Sequence, residues 1–151
     1  MKVVILLGSK SDAEYAGKIK EKLNEYSLDS ETRIASAHRT PKHLLDIITG
    51  YNNDKVIYIT VVGLSDALSG VLAYNALGPV IACPPDISEW KAMAEVRTPK
   101  DVPVALVEGP EKAAIFAALI AALHNDGIKA KIREERRKKA ESVIADDKEV
   151  K

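Results

Sequence analysis

The segment Ser36-Ala37-His38-Arg39-Thr40-Pro41 holds the side chains best suited to chemistry in this chain. His38 carries an imidazole, a group that both gives and takes a proton near neutral pH. Arg39 beside it carries a permanent, planar charge that suits a phosphate group. A histidine in a polar loop is more often a surface residue than a catalyst. By itself, this segment therefore leaves a catalytic role and a plain surface role both open.

A second polar segment, Gly8-Ser9-Lys10-Ser11-Asp12, joins an apolar run to a helix pattern. The start of a helix offers free backbone N–H groups to an anion, and the serine hydroxyls can add hydrogen bonds. Gly8 allows close approach of the backbone, and Asp12 suits ribose hydroxyls better than phosphate. The segment matches neither the Walker pattern nor the dinucleotide-binding pattern. A plain turn with Ser11 as the helix cap is the alternative interpretation.

A third segment, residues 62–70, is rich in small side chains, and its backbone could lie against a flat ring. The alternative is an ordinary strand–helix connection capped by Ser65 or Asp66. His43 and His124 fall on helix patterns and are expected at the surface. Cys83 falls in an apolar strand and is expected in the core. We find no metal-ligand cluster and no Ser-His-Asp arrangement, so no metal site is predicted.

Alternating strand and helix patterns must position these three segments. Strands are predicted at residues 3–7, 31–35, 55–62, 80–83 and 104–107, and helices at 12–26, from 40 onward, at 67–77, 88–96, 111–124 and 128–144. Apolar runs separated by helices indicate a doubly wound parallel sheet in a three-layer α/β/α sandwich. Ligands of such sheets bind beyond the carboxyl ends of the strands. The three polar segments are therefore expected to meet at that edge.

The composition narrows the class of protein. The length of 151 residues suits one domain, residues 1–151, and 22 basic residues balance 22 acidic ones, so no nucleic-acid partner is predicted. Cys83 is the single cysteine, which excludes an internal disulfide. The longest apolar run, residues 113–123, is shorter than the roughly 20 residues that span a bilayer. We expect a cytoplasmic protein with no membrane contact, whose polar final helix is either solvated or lies on a neighbouring subunit.

Taken together, the three segments closely resemble those of the aminoimidazole ribonucleotide carboxylase family. The patterns G-S-x-S-D and S-A-H-R-T-P occur in this order and on these elements, and the resemblance runs from Val3 to the final helix. It implies a flavodoxin-like fold, a homo-octamer, a nucleotide substrate and no cofactor. It also implies that Ser9, Ser11 and Asp12 bind phosphate and ribose, that Arg39 binds phosphate, and that His38 handles the proton at imidazole carbon 4. The other expected substrate contacts are Gly8, Ser36, Ala37, Gly63, Leu64 and Ser65.

The third segment bears on the branch of the family. The mutase branch typically reads A-G-G-A-A-H-L-P-G there, and Ala67 stands where that branch has its second histidine. The direct carboxylases read A-G-R-S-N-G-L-G-P-V and then P-V-I-S-C-P-P, which resembles residues 62–71 and 79–85. The resemblance therefore favours a carboxylase that uses carbon dioxide. Arg39, Thr40 and Leu64 depart from that branch, so an N5-carboxyaminoimidazole ribonucleotide mutase and a non-catalytic nucleotide-binding module stay open.

Overall fold

Parallel strands alternate with helices along the chain. The computed structural model describes residues 1–51, 55–63, 67–88 and 97–150. In chain order the elements are β1 (Lys2–Leu7), a 3₁₀ turn (Lys10–Asp12), α1 (Ala13–Glu25), β2 (Asp29–Ile34), α2 (Pro41–Tyr51), β3 (Val56–Val61), α3 (Leu68–Asn75), β4 (Val80–Ala82), β5 (Ala105–Leu106), α4 (Pro110–Ala121) and α5 (Asp126–Glu149).

The five strands form one parallel sheet in the order β2-β1-β3-β4-β5. Leu7 pairs with Ile34 on one side and with Val61 on the other, so three neighbouring strands end at the same level. The strand order reverses between β1 and β3, because the chain first builds outward to β2 and then returns to the other side. Such a switch point leaves a crevice at the carboxyl edge, where ligands of this architecture bind.

The two faces of the sheet are covered by different helices. Val3, Ile5 and Leu7 of β1 point into a core shared with α1 and the alanine-rich α4. Val4 and Leu6 point into a second core shared with α2 and α3. Because β1 is buried on both faces, its sequence is a continuous apolar run rather than an alternating one. The predicted three-layer α/β/α sandwich is confirmed.

The polar final helix is only partly covered. The Asn125 side chain caps α5 by accepting the Ile128 N–H at 3.1 Å. Ile128 and Ile132 are buried, and Glu135 accepts hydrogen bonds from Tyr26 and from Lys22 on α1. Beyond Glu135 the helix is exposed within this chain. The first third of α5 therefore docks on the domain, and the remainder extends from it.

The boundaries of several elements differ from those expected. Strand β2 begins at Asp29, two residues before the predicted start. An edge strand tolerates polar side chains, so its first residues do not show the apolar pattern from which the strand was predicted. The final helix runs to Glu149 rather than to residue 144. Most of the helix predicted at residues 88–96 lies outside the described residues. Within the part of the chain that the structure describes, no helix is long and apolar enough to cross a membrane.

Candidate active site

A cavity of about 450 Å³ lies at the carboxyl edge of the sheet, at the switch point between β1 and β3. The loops that follow β1, β2 and β3 all contribute to its wall. The lining residues are Gly8, Ser9, Ser11, Asp12, Ser36, Ala37, His38, Arg39, Val62, Gly63, Ala67 and Leu68. All predicted site residues within the described ranges are therefore brought together at one place.

The first loop places hydroxyl and carboxylate groups along one side of the cavity. The Gly8 N–H donates to the Val61 carbonyl at 3.2 Å, which holds the loop against β3. The Ser9 hydroxyl caps the following 3₁₀ turn by accepting the Ser11 N–H at 3.4 Å. The alternative interpretation, in which Ser11 caps the helix, is wrong, because the 3₁₀ turn supplies the first unpaired N–H groups and Ser9 precedes them. Ser11 instead lines the cavity.

Asp12 faces the third loop across the cavity. It precedes α1 and makes no side-chain cap there. Its Oδ1 lies 3.8 Å from the position that a Cβ on Gly63 would occupy. The Ser11 hydroxyl donates to the same oxygen over a long 3.5 Å. A carboxylate in this position can accept hydrogen bonds from the hydroxyl groups of a ligand.

The second loop is a closed turn that projects His38 toward the cavity. The Thr40 hydroxyl accepts the Ser36 N–H at 2.9 Å and donates to the Ser36 carbonyl at 3.2 Å. The Ser36 hydroxyl accepts the Arg39 N–H at 3.2 Å, and Pro41 starts α2. These bonds close the turn on itself. The imidazole of His38 is therefore left exposed on the cavity wall, where a ligand can reach it.

Arg39 separates this cavity from a second one of about 420 Å³. The two cavities share Gly8, Ser9, Ser36 and Arg39. The second cavity adds Lys10, Thr40 and His43, among others, to its lining. Sequence reasoning did not assign these three residues to the site, although Lys10 and Thr40 lie inside its two motifs. His43 occupies the first turn of α2, and a side chain there points back toward the helix start.

Positive charge is concentrated at the second cavity. The chain as a whole has no net charge. Lys10 and Arg39 nevertheless both line this cavity, and none of its described lining residues is acidic. Arg39 can donate from several N–H groups in a fixed plane. The place where the two cavities meet is thus suited to an anion.

The third loop contributes small and apolar side chains to the wall. Val62 and Gly63 follow β3, and Ala67 precedes α3 at its N-cap position without a side-chain cap. Val62 and Leu68 were not expected in the site, since an apolar side chain carries no chemical signal in a sequence. The predicted contacts Leu64 and Ser65, and the possible cap Asp66, lie outside the described residues.

Cys83 belongs to the core, as expected. It is fully buried at the end of β4, with its Sγ 3.6 Å from the hydroxyl of Tyr15. The Tyr15 hydroxyl also donates to the Pro84 carbonyl at 3.3 Å. Burial raises the pKa of the Cys83 thiol, and burial likewise raises the pKa of Tyr15 well above its usual range. Both groups are therefore protonated and neutral at physiological pH, and Cys83 is not an activated nucleophile.

The fold and the position of the cavity define a flavodoxin-like α/β protein with a ligand site at the switch point of its sheet. The family model of AIR carboxylase matches residues 2–142. Together with relatives more than 30% identical over nearly the whole chain, this match shows that the chain belongs to the AIR carboxylase family.

Named relatives occur in both branches of the family. The chain is 39% identical to the phosphoribosylaminoimidazole carboxylase of Archaeoglobus fulgidus, over 99% of this chain and 85% of the relative. It is 38% identical to the N5-carboxyaminoimidazole ribonucleotide mutase of Methanocaldococcus jannaschii, over 99% and 97%. The crystal structure of Treponema denticola PurE superimposes with a TM-score of 0.94 at 34% identity, covering 99% of this chain and 98% of that one. These findings confirm the expected family and fold, and an enzyme of the carboxylase or mutase kind.

Proposed function

We propose that this protein carboxylates 5-aminoimidazole ribonucleotide at imidazole carbon 4 with carbon dioxide, a step of purine biosynthesis. The product is 4-carboxy-5-aminoimidazole ribonucleotide. One observation carries the proposal: His38, Arg39, Ser9 and Asp12 line a single cavity at the switch point of the sheet. These side chains offer a proton-transfer group, a phosphate ligand and acceptors for ribose hydroxyls, which together match a phosphorylated nucleotide with a reactive ring.

The chemistry requires positioning and the movement of one proton. The aminoimidazole ring is an enamine, so electron density from its amino group makes carbon 4 nucleophilic. When carbon 4 attacks carbon dioxide, a carbon–carbon bond forms and a carboxylate results. Carbon 4 then bears both hydrogen and carboxylate, and the ring has lost its aromaticity. His38 takes that proton and restores the aromatic ring; a positioned general base of this kind contributes about 10²–10⁴-fold.

The nucleotide is held by its phosphate and ribose, away from the reacting carbon. The phosphate lies at the junction of the two cavities, where Ser9, Ser11 and Arg39 donate hydrogen bonds. Lys10 adds positive charge from the second cavity, and the His43 imidazole lines the same wall. Asp12 accepts from the ribose hydroxyls, while Gly8, Ser36 and Ala37 form the adjoining wall. Binding energy from these groups confines the ring beside carbon dioxide and so converts a rare encounter into an almost unimolecular step.

The third loop favours the direct carboxylase. Gly63 and Ala67 both line the cavity, and their small side chains leave space for carbon dioxide beside the ring. A histidine at position 67, as in the mutase branch, would project from the same wall and occupy that space. We also propose that Leu64 and Ser65 contact the substrate. The protein needs no cofactor for the reaction in this form.

The mutase is the second candidate. Arg39 and Thr40 depart from the lysine and glycine of the direct carboxylases, and the mutase relative is nearly as similar as the carboxylase relative. In that reaction the carbamate of N5-carboxyaminoimidazole ribonucleotide releases carbon dioxide inside the cavity. His38 would donate a proton to the nitrogen as carbon dioxide leaves, and the same carbon 4 would then capture the carbon dioxide and return its proton to His38.

Feeding each substrate separately to the purified protein distinguishes these reactions. We expect 5-aminoimidazole ribonucleotide to be consumed at a rate that rises with added bicarbonate. Conversion of N5-carboxyaminoimidazole ribonucleotide is followed at early times, before this carbamate decomposes unaided. Faster conversion of the carbamate without bicarbonate identifies the mutase. If neither substrate is converted while nucleotide still binds, the protein is a non-catalytic nucleotide-binding module.

The proposal also covers assembly and location. We propose that residues 1–151 act as one domain, in a homo-octamer in the cytoplasm. Large apolar side chains at the surface support an assembly, since Tyr74 is 66% exposed and Leu77 is 86% exposed. Val143 and Ile144 are exposed on the extended part of α5. Light scattering of the purified protein tests the octamer, and a monomeric mass would contradict it.

A further inference from the structure

Two hydroxyl groups meet inside the core between β3 and α3. The Thr60 Oγ1 and the Ser69 Oγ lie 2.5 Å apart, and each residue is only 1% exposed. Within the described ranges, these two residues are the buried polar ones. A buried hydroxyl loses its hydrogen bonds to water and needs a protein partner to replace them. Thr60 and Ser69 provide that partner for each other in an otherwise apolar core.

The hydrogen bond joins the centre of the sheet to the first turn of a helix. The backbone carbonyl of Thr60 accepts the Cys83 N–H at 2.9 Å, and its hydroxyl lies 3.4 Å from the Ile81 carbonyl. Thr60 is therefore fixed by both β3 and β4. Ser69 is the second residue of α3. The pair thus ties the start of α3 to the two neighbouring strands β3 and β4.

Apolar contacts and the Thr60–Ser69 hydrogen bond both hold the start of α3 on the sheet. Ala67 occupies the N-cap position, and no side chain caps the helix there. Leu68 and Leu72 are buried against the sheet, but apolar contacts have no strong directional preference. A hydrogen bond does, because its energy falls steeply with distance and angle. The Thr60–Ser69 bond therefore restricts the height and rotation of the first turn.

The pair lies directly beneath the third loop of the site. Val62 and Gly63 follow Thr60 by two and three residues, and Ala67 and Leu68 immediately precede Ser69. All four line the cavity. A shift of the first turn of α3 would carry Ala67 and Leu68 with it and change the space beside the ring.

We infer that Thr60 and Ser69 are a positioning pair that holds the third-loop wall of the cavity in the geometry needed for carboxylation. This inference rests on the proposed function. Neither hydroxyl touches the substrate. The phosphate and ribose are held by the first and second loops, so the pair controls turnover and leaves nucleotide affinity unchanged.

If the pair served only to stabilise the fold, its replacement would not change turnover in the folded protein. Replacing both partners of a buried hydrogen bond by apolar groups of similar shape is often neutral for folding. The shape-matched double variant Thr60→Val with Ser69→Ala removes both hydroxyl groups and, with them, the directional contact between β3 and α3. Thr60→Ser instead keeps the hydroxyl and removes a methyl group from the core. The two changes therefore separate a positioning role from a packing role.

The test compares these variants with Ile48→Val, which removes one methylene from the same core at a residue outside the cavity wall. We expect kcat to fall about tenfold or more in the double variant, as small displacements in an active site do. The nucleotide Kd should stay within about twofold of wild type, and Thr60→Ser should retain most of the turnover. Unchanged kcat in the double variant, or a lower kcat in Thr60→Ser than in the double variant, would overturn the inference.

A second readout separates this inference from the proposed function. If the wild type converts neither substrate, the proposed function fails, and amide hydrogen exchange then decides the positioning role. The Val71 N–H, which donates to the Ala67 carbonyl at 3.1 Å, reports the first turn of α3. Faster exchange at Val71 in the double variant, but not in Ile48→Val, supports a hydrogen bond that holds this turn. Equal exchange in both variants would overturn it.

Discussion

The guanidinium of Arg39 lies over the first loop, with its Nη2 donating to the Gly8 carbonyl at 3.4 Å. This one contact links the loop after β2 to the loop after β1. It also leaves the side chain between two cavities that share Arg39 as a common wall. The arrangement places a permanent positive charge where a phosphate would bridge the two loops.

Replacing Arg39 should therefore weaken nucleotide binding more than turnover. Hydrogen bonds to charged groups contribute about 1.5–3 kcal/mol, so Arg39→Ala should raise the nucleotide Kd by about 10- to 100-fold. Arg39→Lys should recover only part of this loss, because an ammonium lacks the planar pair of donors. Titration calorimetry measures both, with the exposed Arg136→Ala on α5 as a matched control. An unaltered Kd in Arg39→Ala would remove the phosphate from this position.

We expect the residues of the second cavity to affect KM for the nucleotide, an effect that the two sequence motifs alone do not predict. Lys10 and His43 line it beside Arg39. Lys10→Ala should raise KM for the nucleotide by up to about fivefold, since exposed charge pairs contribute about 0.2–1 kcal/mol. The value of kcat should remain within about twofold. Added salt should reduce the KM difference between variant and wild type, because it screens exposed charges.

Lys18→Ala provides the control for this variant, since Lys18 is exposed on α1 and does not line either cavity. Its KM should equal that of the wild type. If Lys10→Ala and Lys18→Ala raise KM equally, the effect is a general loss of positive charge and the second cavity plays no part.

We expect the ionisation of Glu135 to make the stability of the folded protein depend on pH. Hydrogen bonds from Tyr26 and then from Lys22 lower the pKa of Glu135 below its ordinary value. A carboxyl group whose pKa is lower in the folded state contributes stability above its unfolded pKa and loses it as pH falls through the folded value. Acidification should therefore loosen the docking of α5 on α1.

The partners of Glu135 act at the opposite end of the pH range. Burial, followed by the hydrogen bond to Glu135, raises the pKa of Tyr26 to about 12. Burial alone would lower the pKa of Lys22, but hydrogen bonds to Glu25 and Glu135 raise it well above its usual range. Groups with raised pKa values contribute stability below their unfolded pKa and lose it as pH rises through the folded one. The cluster is therefore intact across neutral pH.

Urea unfolding of wild type and Glu135→Gln, from neutral pH to about pH 3, measures this effect. The wild-type midpoint should fall more steeply on acidification than that of the variant, because the variant has no carboxylate to protonate at this position. Glu149→Gln, at the exposed end of α5, should follow the wild type. Parallel curves for wild type and Glu135→Gln would show that this cluster does not contribute to acid sensitivity.

We expect a side chain at position 78, in the turn before β4, to disrupt packing. A Cβ at this position would lie 2.0 Å from the Val56 carbonyl oxygen, so the backbone must move to admit any side chain. Gly78→Ala should destabilise the fold by about 1–3 kcal/mol or more. Gly50→Ala on α2 is the matched control, since nothing lies within 4 Å of its Cβ position. Equal unfolding midpoints for the two variants would contradict the close approach.

Much of the fold is readable from the sequence, because burial on both faces leaves continuous apolar runs such as Val3–Leu7. The parallel sheet and its layers follow from that pattern. Strand β2 is less readable, since Asp29 and Glu31 at the edge of the sheet are polar and carry no apolar signal. The length of α5 is also hidden, because its outer part has few buried residues to mark where it ends.

The site was predictable where chemistry restricts residue type. His38, Arg39 and Asp12 carry functional groups and fall at strand ends, so the parallel topology alone brings them together. Val62 and Leu68 could not be found in this way, because they contribute shape rather than chemistry. His43 was missed because it lies two residues beyond the motif, in the first turn of α2, and only the direction of its side chain places it at the second cavity.

The proton-transfer role of His38 is the central claim, and His38→Asn tests it most directly. Asparagine keeps a polar side chain of similar reach but cannot exchange a proton near neutral pH. Turnover of 5-aminoimidazole ribonucleotide should fall about 10²–10⁴-fold, while the nucleotide Kd measured by calorimetry stays within about threefold of wild type. In the control His124→Asn, turnover and Kd should both stay within about threefold of wild type. A His38→Asn protein that turns over at the wild-type rate would contradict the account.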